Sequence, residues 1–344
     1  MSSAIPIRNI YFLLCYAWNR LAEKDFVDVS TAGVTELADL FARVLITGVN
    51  RLCRKGLERG YLEHEAEIAS VRGKVNLVET HMRFLDRHGR ASCQFDELSH
   101  DTPQNRVIKA AMRSLALVEG LDRDHRGRLR RLARQLTDVA DVPLSRDLFR
   151  SVNLHANNRH YTFLIDVARL IHRCAIPDEE TGKYRFRDFL RDRREMARLF
   201  EGFIFNFLRT ERSDLRVSRE VLSWDASSDD DPDLTYLPDM RTDVSVRSDS
   251  RTTIIDAKYY EQTLQQYHDR RSLHSSHLYQ LMSYLKNLEM RGGVDGEADG
   301  ILVYPVVNEP LDKTYSIQGH QLRVFTLNLG AEWRRIEVDM RRLV

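Results

Sequence analysis

The triplet Asp256-Ala257-Lys258 closes a β-branched run, Thr252-Thr253-Ile254-Ile255. A second acid, Asp243, lies thirteen residues upstream within Met240-Arg241-Thr242-Asp243-Val244-Ser245-Val246. Two acids and a lysine near strand ends are the groups that metal-dependent phosphodiester hydrolysis requires. A hard cation such as Mg²⁺ takes carboxylate oxygens. Once held, it polarises a phosphoryl oxygen and lowers the pKa of a bound water. A neighbouring lysine can stabilise the developing negative charge or help to deprotonate the water. In a strand, residues two apart project to one face, so Asp256 and Lys258 should point together, with Ala257 opposite. The link from Val246 to Thr252 is short and polar, which predicts a hairpin that brings Asp243 beside Asp256. A cation would then lie between Asp243 and Asp256, with the carbonyl of Ala257 as a third oxygen.

D-x-K also recurs by chance, and on a surface Asp256 and Lys258 would be an ion pair worth little. Against this, Thr253-Ile254-Ile255 reads as a central strand, and burying two charges at its end is costly without a ligand. A rival first acid is Asp239, in Pro238-Asp239, 17 residues before Asp256. Asp243 is preferred because it lies inside the strand pattern, with Asp239 at its entry. On the next helix Leu278, Leu281, Met282 and Leu285 form the expected core stripe. Gln280 and Tyr284 fall off that stripe together and could face the site, although Gln280 also reads as a surface amide. Glu201 could add a carboxylate, but it reads first as a solvent-facing residue beside an apolar stripe.

These residues need a scaffold, and 344 residues with 42% hydrophobic content can build two domains. Helices are expected over 5–20, 36–57, 101–118, 126–139 and 160–174, with short strands near Glu65–Val71, Lys74–Val78 and Ala91–Phe95. A boundary is expected near 175–190. Beyond it the order is helix (194–208), three strands (215–222, 240–247, 252–258), helix (273–288), two strands (300–307, 321–327) and a closing helix from 331. That order predicts an α/β/α domain with a mixed sheet over 181–344, after an α+β domain over 1–180.

No segment approaches the ~20 uncharged apolar residues of a membrane span, and no secretory leader is visible. The four cysteines form no C-x-x-C pair, so a reduced, cytoplasmic protein without a zinc site is expected. The net charge of +1 excludes a strongly basic DNA-binding domain overall. It hides local blocks. Residues 123–134, RDHRGRLRRLAR, read either as a solvated helix face or as a surface for phosphate or a partner. Residues 225–233, DASSDDDPD, read as a loop that does not touch DNA.

The stretch LPDMRTDVSVRSDSRTTIIDAKYY with the downstream HLYQLMSYLKN resembles the PD-(D/E)xK nuclease core. More narrowly, the chain resembles the McrC family, over nearly its whole length. The opening IPIRNIYFLLCYAWN is similar to that family's N-terminal signature. So are Val71-Arg72-Gly73-Lys74-Val75, Asp101-Thr102-Pro103-Gln104-Asn105-Arg106, Lys183-Tyr184-Arg185-Phe186 and Trp224-Asp225-Ala226-Ser227-Ser228. Thr242, where the wider nuclease pattern has proline, fits this narrower family. The resemblance implies a Mg²⁺-dependent subunit of a type IV restriction endonuclease that cleaves double-stranded DNA carrying methylated cytosine. Its triad would be Asp243, Asp256 and Lys258. It also implies an McrB-like AAA+ GTPase hexamer as partner, which binds the GTP, carries DNA recognition, and is docked and stimulated by the N-terminal part of this chain. The lack of a G-x-x-x-x-G-K-[ST] loop here agrees. Residues 60–100 are expected to project toward that partner, unless they form an ordinary packed β subdomain. Double-strand cleavage would require two complexes to pair. The alternatives are a non-catalytic activator of an AAA+ ring and a stand-alone DNA-repair nuclease.

Overall fold

The computed structural model describes residues 5–21, 36–177, 183–259, 265–267, 270–307 and 309–344. Residues 178–182 of the expected boundary lie outside this set. The chain divides into two compact units. One joins Met1–Val34 to Asp188–Val344, and the other is Thr35–Arg187. The second crossing falls between Arg187 and Asp188, and the first places the opening helix in the C-terminal unit and not in a domain spanning 1–180.

The chain opens with α1 (Ile7–Ala17) and then enters the second unit. There α2 (Leu37–Lys55) is followed by β1 (Gly60–Ile68), β2 (Lys74–Val75), α3 (Leu77–Met82) and β3 (Ala91–Ser99). Three longer helices come next: α4 (Pro103–Leu115), α5 (Arg123–Gln135) and, after the short α6 (Arg146–Arg150), α7 (Thr162–Cys174). A small ribbon, β4 (Ala175–Pro177) with β5 (Tyr184–Phe186), closes the unit. Helices α2, α4, α5 and α7 pack on one another. β1 and β2 flank β3 in an antiparallel sheet with its own small core of Ala91, Cys93 and Phe95. The strand expected over Lys74–Val78 ends at Val75. Asn76 caps α3 instead, its side chain accepting the Glu79 N–H at 3.2 Å. Asparagine at this position favours a cap over a ladder.

The six residues Asp101–Arg106 are architectural. Thr102 caps α4, Pro103 fills its first turn, and Arg106 makes two bonds of 2.7 and 2.6 Å to Asp101. Gln104 donates to the Asn153 carbonyl at 2.6 Å. Asn105 donates to the carbonyls of Glu58 and His100 and accepts the Tyr161 hydroxyl at 2.8 Å. A buried amide with three partners fixes the start of α4 in one register.

The C-terminal unit resumes with α8 (Arg193–Glu211), β6 (Arg216–Ser218), β7 (Val221–Leu222), β8 (Met240–Arg241), β9 (Val244–Arg247) and β10 (Thr252–Ala257). After the ribbon β11 (Gln265–Tyr267) and β12 (Arg270–Ser272) come α9 (Ser275–Glu289), the short α10 (Gly293–Gly296), β13 (Asp299–Pro305), β14 (Asp312–Ile317), β15 (His320–Leu327) and α11 (Trp333–Arg341). The main sheet has six strands in the order β14-β15-β13-β10-β9-β6. β10, β13 and β15 run parallel, and the other pairings are antiparallel, so the sheet is mixed as expected. α9 is the crossover from β10 to β13. Leu281, Tyr284, Leu285 and Leu288 pack it on Ile254, Leu302, Leu322 and Val324. The stripe therefore runs through Tyr284, with Leu278 and Met282 only half-buried at its margin. α8 packs against β6 and β10, and α1 and α11 pack on α8. Aromatic rings join these three helices: Tyr16 meets Phe207 at 5.0 Å, and Phe12 meets Trp333 at 4.7 Å. Asn9 pins α1 further by donating to the carbonyls of Leu329 and Ala331. That aromatic stripe is why the opening helix leaves the N-terminal unit.

Candidate active site

β10 is buried along its length, because both faces of the sheet are covered there. It ends at Ala257, and the next residue bonds through its N–H to the Val303 carbonyl of β13 at 2.8 Å. Asp256 and Lys258 thus sit at the carboxyl end of a central parallel strand, where α/β sheets place their chemistry. Their side chains do point together. The Lys258 ammonium lies 2.9 Å from each Asp256 oxygen, with hydrogen-bond geometry only toward Oδ1. Asp256 is 1% exposed, and its Oδ2 is left without a hydrogen bond.

The hairpin of β9 and β10 has the expected register, ending at Ile255 opposite Val244. Asp243 is the next residue back. It lies in a bend between β8, which pairs with β7, and β9, which belongs to the main sheet, and not inside a continuous strand. The bend turns the Asp243 carboxylate onto the end of β10, where Oδ2 accepts the Ala257 N–H at 2.8 Å. Asp239 pairs with exposed Arg241.

Burial raises both acids. Asp256 is pushed up to about 6, first by desolvation and then by the nearby Asp243 charge, against the pull of Lys258. Desolvation also raises Asp243, although the Ala257 N–H, Lys258 and Arg219 favour its charged form. Lys258 is held above the usual lysine range by Asp256 and Asp243, which outweigh its own desolvation. It is a cation at neutral pH.

Three accessory residues have partners that the sequence left open. Gln280 accepts from the Lys258 ammonium at 2.9 Å and donates to the Tyr284 hydroxyl at 2.7 Å. Tyr284 donates onward to the Arg241 carbonyl at 2.9 Å. Gln280 is therefore no idle surface amide. Glu201 is half-buried on α8 rather than solvent-facing. It pairs with Arg219 at 2.9 Å and is raised by burial and by Asp243.

Two further residues escaped the sequence reading. Arg219, on the turn between β6 and β7, lies over the Phe205 ring at 4.7 Å while it pairs with Glu201. Phe205 and Glu201 are four apart on α8, a spacing that puts both on one helix face. His277 shares a 3.0 Å hydrogen bond with the Tyr304 hydroxyl. Burial and Lys258 pull it down to about 4, so it is neutral. Only tertiary proximity links either residue to the triad, and no local pattern marks them.

The donor set suits a hard divalent cation. It offers carboxylate oxygens, an orphaned buried oxygen on Asp256, and no thiolate. Among the described residues no three His, Cys, Asp or Glu side chains form a closed cage. Mg²⁺ does not need one, because it is held by one or two carboxylates and keeps several waters.

Against known proteins, residues 8–305 match the family described as McrBC 5-methylcytosine restriction system component. The chain is 36% identical over 336 residues to the "Type IV methyl-directed restriction enzyme EcoKMcrBC" of Escherichia coli (strain K12), covering 98% of this chain and 96% of that protein. A solved structure of Thermococcus gammatolerans, a half-complex from a tetradecameric assembly of McrB AAA+ hexamers with bound McrC, aligns with a TM-score of 0.62 at 18% identity. It covers 98% of this chain and 75% of that chain, and at that identity the likeness concerns the fold. The family match spans both units and takes in the triad, and the chain belongs to the McrBC 5-methylcytosine restriction system component family.

Proposed function

We propose that this chain is the DNA-cutting subunit of a methylcytosine-dependent restriction complex, with a PD-(D/E)xK active site formed by Asp243, Asp256 and Lys258. One observation carries the reading. A buried acid, a half-buried acid and a charged lysine converge at the end of a central strand, and one carboxylate oxygen of Asp256 has no hydrogen bond. A charged group buried without full compensation is costly, and such sites are commonly functional. Mg²⁺ would be held by Asp243, Asp256 and the Ala257 carbonyl, and when bound it supplies an activated water and charge neutralisation at the phosphate. Lys258 then acts as a fixed cation beside the developing charge. Its ammonium is held by Asp256 and Gln280 at 2.9 Å each, and of the two roles open to it this fixed placement favours charge stabilisation. Gln280 and Tyr284 hold its ammonium in place.

The partner is an AAA+ GTPase ring that binds GTP and reads the modified DNA. The E. coli relative is named as a methyl-directed restriction enzyme, and the archaeal structure as McrB hexamers with bound McrC. That structure's tetradecameric assembly fits the pairing of two complexes, hence two cutting centres for a double-strand break. On this chain the docking end is the β1–β3 subdomain. Leu77, Val78 and Met82 of α3 are 74%, 70% and 74% exposed, and Val71 and Phe84 are exposed nearby. An apolar group of this kind on a small subdomain marks an interaction surface.

The test is cleavage of methylated duplex DNA by the purified pair with GTP and Mg²⁺. Asp256→Asn should abolish cutting and leave stimulation of the partner's GTP hydrolysis intact. Normal cutting by the variant would rule the site out. Stimulation without any cutting by the wild-type pair would favour the non-catalytic activator, and cutting without the partner a stand-alone nuclease.

A further inference from the structure

The basic helix α5 takes no part in the site described above, and its charges are unevenly used. Leu129, Leu132 and Ala133 bury its inner face. Arg126 donates to the Val118 carbonyl at 2.9 Å, and Arg128 lies 3.7 Å from Asp124. Arg130, Arg131 and Arg134 are exposed, and none has a partner among the described residues. With Gly127 and Gln135 they line a shallow hollow of about 410 Å³. Gly127, Arg130, Arg131 and Arg134 stand at i, i+3, i+4 and i+7, which is one face of a helix. The neighbouring hollow shares Arg130 and Arg134 and adds Lys109 and Arg113, both paired with Asp141.

We propose that this face of α5 binds the phosphate backbone of duplex DNA during cleavage. The proposal rests on the reading of the chain as part of a DNA-cutting complex. A guanidinium presents five donors in a rigid fork that suits phosphate oxygens. Arg130 and Arg134 are one turn, about 6 Å, apart along the helix axis. Together with Arg131 they can meet successive phosphates, which advance ~3.4 Å per nucleotide along one strand. The hollow lined by Gly127, Arg130, Arg131, Arg134 and Gln135 contains no apolar side chain. A protein-docking patch of similar size would carry an aromatic or aliphatic anchor, as the α3 face does.

Gly127 supplies a second, independent observation. Glycine inside a helix costs about 1 kcal/mol relative to alanine. Packing does not ask for it here, because an added Cβ would meet nothing within 4 Å. A glycine in open space at the head of three free arginines lets a large ligand approach the helix backbone.

The experiment uses the complete complex with its AAA+ partner, a non-hydrolysable GTP analogue and a fluorescent methylated duplex. Binding is followed across a salt series, with Asp256→Asn in every sample to prevent cutting. Replacing Arg130, Arg131 and Arg134 by Gln should reduce the magnitude of the log K against log salt slope by about 2–3, near 0.9 for each lost phosphate contact. Gly127→Leu, which favours the helix, should weaken binding with an unfolding midpoint no lower than that of the wild type. An unchanged slope in the triple variant would overturn the proposal. So would loss of assembly with the ring and normal DNA binding by whatever complex forms, since the face would then be a protein contact. A wild-type complex with no duplex affinity would overturn it too. Failure of the nuclease reading shows separately, as absent cutting by complexes that carry Asp256.

Discussion

The Asp243 carboxylate accepts the backbone N–H of Ala257 at 2.8 Å, and this bond ties the bend between β8 and β9 to the end of β10. Asp243 is thereby fixed beside Asp256 by the main chain, whatever its own side-chain torsions prefer. The same bond satisfies an N–H at the point where the β9–β10 ladder runs out, after Ile255 and Val244. The site is thus set by where two sheets part company, and its acids are held before any substrate arrives.

Lys258 compensates the buried charge of Asp256, so its removal should be felt in stability as well as in rate. Lys258→Met leaves an uncompensated carboxylate at a position 1% exposed, at a cost of about 3–5 kcal/mol near neutral pH. The folded pKa of Asp256 is already raised, to about 6. Stability linked to such a group is fully present below the unfolded carboxylate value of ~3.9 and is lost as pH rises through the folded value. The defect of Lys258→Met should therefore shrink on acidification, and Asp256→Asn in the same chain should relieve it. Denaturant titrations at pH 5 and pH 8 would check this. An equal defect at both pH values would mean that the ammonium is not charge compensation.

Gln280 accepts from the Lys258 ammonium and donates to Tyr284, an arrangement that would position the lysine. Gln280→Ala should reduce the cleavage rate about 10–100-fold, as loss of a supporting shell does, with little change in the DNA concentration needed for half-maximal rate. Tyr284→Phe removes the donor to the Arg241 carbonyl and should cost about 1–2 kcal/mol of stability besides. Steady-state cutting rates with matched unfolding curves separate the two effects. A variant that raised only the half-saturating DNA concentration would place these residues in binding.

Asp101 holds the start of α4 through Arg106 and the Ala140 N–H, and Arg106 in particular keeps its carboxyl below the usual range. For a depressed carboxylate the linked stability is present above the unfolded value near 3.9 and is lost as pH falls through the folded one. Asp101→Asn should thus destabilise the second unit by about 1–3 kcal/mol at pH 7. The gap to wild type should narrow below pH 4. Urea unfolding at pH 7 and pH 3 reads the difference, and a constant gap would show that charge is not the cause.

The sequence carried the triad because its chemistry is local: i and i+2 on a strand share a face, and a short polar link makes a hairpin. It also carried the order of the main elements of the C-terminal unit, since α8 and α9 repeat apolar residues at helical spacing and β13 is a continuous apolar run. The six-residue stretch Asp101–Arg106 reads differently once its bonds are known. Its residues cap, brace and anchor a helix, so its match to the family pattern reflects architecture. The allegiance of α1 was hidden, because the partners of Tyr16 and Asn9 lie some 190 and 320 residues away. The strand β14 was missed because its side chains are almost all exposed, which leaves no apolar alternation to read. Arg219 and His277 were missed for a related reason. Each is placed by contacts across elements, and neither belongs to a spacing.

Residues 60–100 form a packed subdomain around Ala91, Cys93 and Phe95, and this core leaves Leu77, Val78 and Met82 outside. The turn at Asp86–His88 with Gly89 (φ +65°) is short and polar. The apolar surface therefore favours α3 over the His88 tip as the contact with the partner ring. Changing Leu77, Val78 and Met82 together to Ser removes exposed apolar area only, so the unfolding midpoint should hold within the small range of surface substitutions. Stimulation of the partner's GTP hydrolysis should fall severalfold or more, because apolar anchors carry most of an interface's energy. Shortening the His88 turn should do little. GTP turnover across a titration of each variant into the ring distinguishes them. Undiminished stimulation by the triple variant, with loss on shortening the turn, would move the contact to the tip.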